Sequence, residues 1–237
     1  DLYWMHLWDW FTPIDETMRA LDDLVTSGKI RYLGFSDTPA WKVAQAQVTA
    51  SFRGWSPLVA LQIEYSLLER TVEGELIPMA QELGLGVTPW SPLRSGVLSG
   101  KYTRENAHAA QPGRGDRVTA LLTEPTFVIL DELVRVAREH QTTVAAVALA
   151  WVQSKPGVGS TIIGVRTMEQ LESNLGGLEI QLDETEVAAL DRVSAPTHSF
   201  PTPFLQAAPT IMHAGSTVDG VASQRWPMAP VSDDERY

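Results

Sequence analysis

Cysteine is absent from the 237 residues, which excludes disulfides, thiolate nucleophiles and thiolate metal sites. Basic residues are scarce. Eighteen lysines and arginines (18) stand against 29 acids, a formal net charge of −11. That argues against a nucleic-acid binder or a protein of acidic membrane surfaces, because phosphates reward basic faces. It leaves room for a local basic site that takes one anionic ligand. No apolar run is long enough to span a bilayer. The first residues lack a basic stretch followed by an apolar one, so no signal peptide is read. The expectation is a cytoplasmic protein with neither membrane nor nucleic-acid partners. The phosphate signatures G-x-G-x-x-G and G-x-x-x-x-G-K-[ST] are also missing, and with them the usual mark of an open-sheet nucleotide binder.

What is present is apolar periodicity, in a chain that is 44% hydrophobic and so able to bury a sizeable core. "DLYWMHLW" (1–8) reads as a buried strand. "PIDETMRALDDLVTSGK" (13–29) reads as a helix, with Met18, Leu21 and Val25 on one face, acids in its first turn and Gly28 as its stop. Strands are expected again over 30–36, 58–66, 85–93 and 159–166, and helices over 40–50, 73–84, 126–140, 143–155, 167–178 and 183–194. Residues 103–123, with Pro112, Gly113 and Gly115, read as a loop.

Strand followed by helix, repeated, implies parallel strands joined by right-handed crossovers. Without a Gly-rich nucleotide signature the pattern tilts towards a (β/α)8 TIM-type barrel. Only about five strand–helix units are visible, where closure takes eight. The barrel is therefore expected to be incomplete.

Ordered motifs carry a resemblance. "DLYWMHLWD…PIDETMRALDDLVTSGKIRYLGFSD", "LQIEYSLLER", "GVTPWSPLRSGVLSGKY", "VALAWVQSKPGVGSTIIGVRTMEQLESNL" and "LDRVSAP" resemble the aldo-keto reductases, up to about Pro196. The resemblance implies an NADP-dependent oxidoreductase that reduces an aldehyde or ketone, a small-molecule carbonyl substrate, on a barrel of which this chain holds strands 4 to 8. It implies a partial barrel over 1–195 and a Pro-rich tail over 196–237. In that tail Phe200, Phe204, Met212 and Trp226 are expected to pack over the barrel mouth, with at least partial order.

Each candidate residue has two readings. His6, late in its strand, fits a core histidine satisfied by one hydrogen bond; the resemblance implies that it orients the substrate carbonyl. Ser36 and Asp37 end a strand and fit turn formers or helix caps. The resemblance implies contact with the nicotinamide carboxamide, at a position usually Asn rather than Asp, and an ionised Asp cannot donate. Gln62, among apolar residues, needs partners for both amide ends: a neighbouring backbone or, as the resemblance implies, the nicotinamide amide. Trp90 fits a core aromatic or, by resemblance, a ring stacked on the nicotinamide. Ser91, Pro92 and Leu93 form a turn whose N–H groups can meet a pyrophosphate. Lys101 fits a solvated surface cation; the resemblance implies that it lies near the diphosphate. Gly164 closes a strand, and Arg166, Gln170 and Asn174 open the helix after it, where TIM barrels bind phosphate. Arg166 fits a surface cation or a grip on an oxyanion; the resemblance implies that these helix-start positions hold the adenosine phosphate and adenine, with an arginine near the 2′-phosphate favouring NADP.

The family's catalytic set is an aspartate, a tyrosine, a lysine and a histidine. Only the histidine finds a match, in His6; Tyr3, Tyr32, Tyr65, Tyr102 and Tyr237 fall elsewhere in the pattern. Open sheet edges are expected, and with them an unstable monomer, a homo-oligomer, or a missing N-terminal segment that completes the barrel. Three readings compete: a truncated aldo-keto reductase, a catalytically inactive NADP-binding barrel with a regulatory or structural role, and an unrelated phosphate-binding barrel.

Overall fold

In the computed structural model, residues 1–107, 115–228, 230 and 232 are described; part of the expected 103–123 loop, and Tyr237, lie outside them. Four strands, β1 (Leu2–Met5), β2 (Tyr32–Ser36), β3 (Leu58–Glu64) and β4 (Gly86–Trp90), form one sheet in the order β1-β2-β3-β4. Every neighbouring pair is parallel. The helices between them are α1 (Ile14–Thr26), α2 (Ala40–Arg53) and α3 (Leu76–Glu82). They are followed by α4 (Gly115–Leu121), α5 (Glu124–Glu139), α6 (Val144–Gln153), α7 (Met168–Gly176) and α8 (Glu184–Val193). This is an α/β fold with a parallel sheet. Helix α4 lies where a loop was expected.

Apolar spacing explains the helices. Ile14, Met18 and Leu21 of α1, and Val43, Ala46 and Ala50 of α2, are buried at the three- and four-residue intervals of one helix face. Helix α2 ends at Gly54, whose φ of 67° is the left-handed stop that glycine adopts without cost. Helix α6 is apolar all round and is buried from Ala145 to Val152, as a helix must be when it has no polar face.

Two expected strands differ. Over 1–8 the strand is short and largely exposed, with Leu2, Tyr3 and Leu7 facing solvent, because among the described residues β1 ends the sheet and pairs with β2 alone. Within it, the Trp4 ring lies over Gly34, its register partner, where a Cβ would come within 2.4 Å of the ring. The segment 159–166 is extended beside β4 without becoming a regular strand. Val87 exchanges hydrogen bonds with Gly157 and Gly159, at 2.8 and 3.0 Å, and Pro89 accepts from the Ile162 N–H at 2.8 Å. Proline has no N–H to return, so the ladder stops there.

The parallel layers are tied by a buried polar cluster. Tyr65, directly after β3, donates to Glu73 Oε1 at 2.7 Å. Arg70 grips both oxygens of Glu73, at 2.8 and 2.9 Å. Its other nitrogen reaches Ser194 Oγ at 2.8 Å and the Asp191 carbonyl at 2.9 Å. Asp191 also accepts from Trp151 Nε1 at 3.0 Å and from Lys155 Nζ at 2.6 Å. Strand β3 is thereby joined to α6 and α8. Burial and the Glu73 carboxylate both push the ionisation of Tyr65 upward, so its hydroxyl is held in the donor form.

The described chain falls into two compact units that divide after Pro196. The second holds α9 (Thr202–Met212) and a hairpin of β5 (Thr217–Val218) with β6 (Val221–Ala222). Asp219 and Gly220 turn that hairpin, both at positive φ, as a two-residue hairpin loop requires. Phe200, Phe204, Met212 and Trp226 are exposed.

Arg70→Ala is expected to destabilise the fold by about 1.5–3 kcal/mol, because it strips the charge-assisted hydrogen bonds from the half-buried Glu73 carboxylate; urea unfolding measures it. A tyrosine whose folded pKa is raised contributes stability fully present below its unfolded value and lost as pH rises past it. Thermal melts should therefore fall more steeply above about pH 10 in the wild type than in Tyr65→Phe.

Candidate functional site

Because the four strands are parallel, their C-terminal ends share one edge of the sheet, where α/β proteins gather their ligands. His6 follows β1 there; it is exposed and makes no hydrogen bond among the described residues. Ser36 closes β2, buried, and its carbonyl accepts from Thr38 Oγ1 at 2.9 Å. Asp37 continues the ladder one step further, its N–H donating to the Gln62 carbonyl at 3.1 Å. Gln62 pairs in register with Ser36 on β3, and its amide side chain finds no partner among the described residues. Trp90 closes β4 and donates its indole N–H to Asp37 Oδ1 at 3.0 Å. Asp37 and Trp90 line a small cleft of about 320 Å³ together with Glu64 and Glu69.

A second and larger cleft, about 1490 Å³, lies beyond β4. It exceeds the roughly 300–1,000 Å³ typical of small-ligand pockets. Eight residues singled out from the sequence line it: Ser91, Pro92, Leu93, Lys101, Gly164, Arg166, Gln170 and Asn174. They arrive from three directions, namely the turn after β4, the segment before α7 and the face of α7 itself.

Local backbone geometry shapes the first wall. Ser91, Arg94 and Ser95 all have positive φ, from 44° to 56°, an uncommon conformation for side-chain-bearing residues and one that clusters at ligand sites. Buried Val97 and Leu98 anchor the loop. Gly100, at φ 82°, lets it approach α6, since a Cβ there would sit 2.9 Å from Val144. Lys101 is thereby carried to the cleft beside the start of α6.

Helix α6 and helix α7 both begin at the cleft, which Thr143, Ala145 and Thr167 line. Thr143 and Thr167 are their N-caps, each accepting a backbone N–H at 3.2 Å. The two caps leave other first-turn N–H groups free, and each helix start carries partial positive charge. Thr143 Oγ1 meets Ser173 Oγ at 3.0 Å, holding the two helix starts together. Gln170 turns its Oε1 back to the Arg166 N–H at 2.9 Å. Its NH₂ group has no partner among the described residues.

Lys101 and Arg166 have no carboxylate partner among the described residues. Arg94, by contrast, is paired with Glu64 and lies 3.9 Å from Glu69. In a chain of net charge −11, two unpaired cations and two helix starts around one cleft form a receptor for a polyanion. Glu169 is an acid on the same wall. Asn174 is buried with its amide unpaired among the described residues. No group of three or more His, Asp or Glu side chains placed to hold a metal occurs among them.

Arg94, Ser95, Thr143 and Glu169 also line the cleft, and were not singled out from the sequence. Thr143 carried a signal, an N-cap residue three positions before the N–H it receives. The left-handed conformation of Arg94 and Ser95 carried none, because neither is a residue type that favours it.

Residues 1–195 match the Aldo/keto reductase family. The chain is 40% identical over 193 residues to an uncharacterized oxidoreductase of Bacillus subtilis, covering 81% of this chain and 58% of that protein. It is 33% identical over 228 residues to a probable aryl-alcohol dehydrogenase of Saccharomyces cerevisiae, covering 94% and 69%. It is 33% identical over 205 residues to norsolorinic acid reductase B of Dothistroma septosporum, covering 86% and 52%. The chain thus spans about half to two-thirds of the length of these three relatives. With that match running over residues 1–195, the chain belongs to the aldo/keto reductase family.

Proposed function

We propose that the large cleft binds NADPH, and that the chain is part of an enzyme that reduces an aldehyde or ketone to an alcohol. The observation that carries this reading is the pair of unpaired cations, Lys101 and Arg166, beside two helix starts in a cleft of about 1490 Å³. A dinucleotide is long and carries several phosphate charges, and the cleft offers length and positive potential together. The residues fit the cofactor. Lys101 and the turn Ser91–Leu93 would hold the pyrophosphate; Arg166 and Gln170 would hold the 2′-phosphate, and Asn174 the adenine. At the sheet edge, Gln62 has an amide free to pair with the nicotinamide carboxamide beside Ser36 and Asp37.

When bound, the cofactor supplies a hydride. The chain's own residues bind and orient. Trp90 offers a flat face at the strand ends, and His6 would donate a hydrogen bond to the carbonyl oxygen as charge develops there. The names of two relatives, an aryl-alcohol dehydrogenase and a norsolorinic acid reductase, support an aromatic carbonyl as substrate. Four strands and the extended 159–166 segment would occupy consecutive positions of a (β/α)8 barrel. The exposed edge of β1 would pair with a further segment or a second copy. No described helix is long and apolar enough to cross a membrane.

A second reading, an NADP-binding barrel without activity of its own, draws on the tyrosines. Tyr32 opens β2 at the opposite end of the sheet. Tyr65 is buried, committed to Glu73 and pushed upward in pKa, the wrong direction for a proton donor near neutrality.

Titration by tryptophan fluorescence tests the cofactor. Arg166→Ala is expected to weaken NADPH by about 10- to 100-fold, the worth of a hydrogen-bonded charge contact, and NADH far less. Equal losses would remove Arg166 from the 2′-phosphate. The chain by itself should bind NADPH without turning over a generic aldehyde. Turnover in that assay would rule out the inactive reading.

A further inference from the structure

The Asp37–Trp90 contact joins strands that are not neighbours. Strand β3 lies between β2 and β4, and two strand spacings put their axes roughly 10 Å apart. The hydrogen bond of 3.0 Å from Trp90 Nε1 to Asp37 Oδ1 therefore crosses above the end of β3. Two features make the crossing possible. Asp37 stands at φ 43°, a left-handed conformation that Asp and Asn tolerate better than other side-chain residues. Its N–H is fixed on the Gln62 carbonyl at 3.1 Å, so the turn begins in register.

The other acids of the small cleft are occupied. Glu64 is paired with Arg94, and Glu69 accepts from the backbone N–H of Thr71 at 3.2 Å. Asp37 is the carboxylate on the indole. An indole side chain turns about two torsions, and packing against a sheet edge limits but does not define its tilt. A hydrogen bond from its rim to a charged acceptor defines it.

We propose that Asp37 is a positioning residue for Trp90: its carboxylate, carried over the end of β3, sets the tilt of the ring against which the nicotinamide lies. The consequence for the cofactor rests on the NADPH reading above; the contact itself does not. A carboxylate in place of the family's usual Asn then has a reason. It trades a donor towards the carboxamide for a stronger acceptor towards the indole.

The test uses the whole chain and four variants: Asp37→Gly, Asp37→Asn, Trp90→Phe and the double Asp37→Gly/Trp90→Phe. Glycine removes the carboxylate while accepting the left-handed backbone. Asn keeps an oxygen that can accept. In calorimetric titration with NADPH, Asp37→Gly should raise Kd about tenfold, in the range of one charge-assisted hydrogen bond, and Asp37→Asn about threefold or less. In the Trp90→Phe background, Asp37→Gly should add less than about twofold, because the acceptor has lost its donor. An equal cost in both backgrounds would overturn the proposal.

A second readout needs no cofactor and no change at position 37. With 15N-labelled tryptophan, the Trp90 indole N–H is the one of eight that vanishes in Trp90→Phe. It should exchange slowly with solvent in the wild type, and rapid exchange overturns the proposal whether or not Asp37→Gly folds. If Trp90→Phe leaves the NADPH Kd unchanged, Trp90 does not meet the nicotinamide and that part of the NADPH reading fails; the exchange rate then decides the role of Asp37 alone.

Discussion

The arrangement of this molecule depends on the ion pair between Arg70 and Glu73 and on the partners it collects. Arg70 is 9% exposed, and a guanidinium so placed is tolerable only with its donors engaged. Glu73, Ser194 and the carbonyl of Asp191 engage them. The Trp151 ring lies beneath the guanidinium, 5.1 Å from its carbon, and edge-on to Tyr65 at 5.7 Å. One cluster therefore fixes the end of β3, the last turn of α6 and the end of α8 together. Helix α6 has 10 residues, about 15 Å of rigid rod. Clamping its far end aims its near end, with the Thr143 cap, at the large cleft.

That aim matters because the cleft works by position rather than by overall charge. The protein carries a net charge of −11, and at long range it repels anions. Lys101, Arg166 and two helix starts line the cleft against the single acid Glu169, and exposed acids beyond about 8–10 Å are screened by salt. Arg94 shows the contrast. It lines the same cleft, but it is already paired with Glu64 and brings little net charge. The parallel sheet supplies the other half of the site, since it alone places residues from four separate stretches of chain along one edge.

Much of this was legible beforehand. Each interior helix with regular apolar spacing formed where expected, because a 3.6-residue stripe has one low-energy solution once a core is available. Ser91 and Arg166 stood out because a small polar turn and a fixed cation at a helix start suit phosphate chemistry locally; Lys101 and Gln170 stood out only through the family resemblance. Three elements misled, among them helix α4, which lies in a stretch read as a loop. The aromatic run at 1–8 looked buried, but burial of a strand depends on what lies beside it, and among the described residues β1 has a neighbour on one side only. The apolar run at 159–166 looked like a strand, but the ladder depends on Pro89 and two glycines of segments read separately.

By itself, then, the sequence determined the alternation of strands and helices, the parallel sheet and the exclusion of thiol chemistry. Each follows from local spacing or from residue type. Only the tertiary structure decided that Asp37 reaches Trp90 across 53 positions, that Arg70 gathers Asp191 and Ser194 from more than a hundred residues away, and that Arg94 is neutralised while Arg166 is not. Those are pairings between distant segments. A charge or a hydrogen-bonding group announces its capacity in the sequence, but its partner is chosen by the close packing that brings strands and helices together.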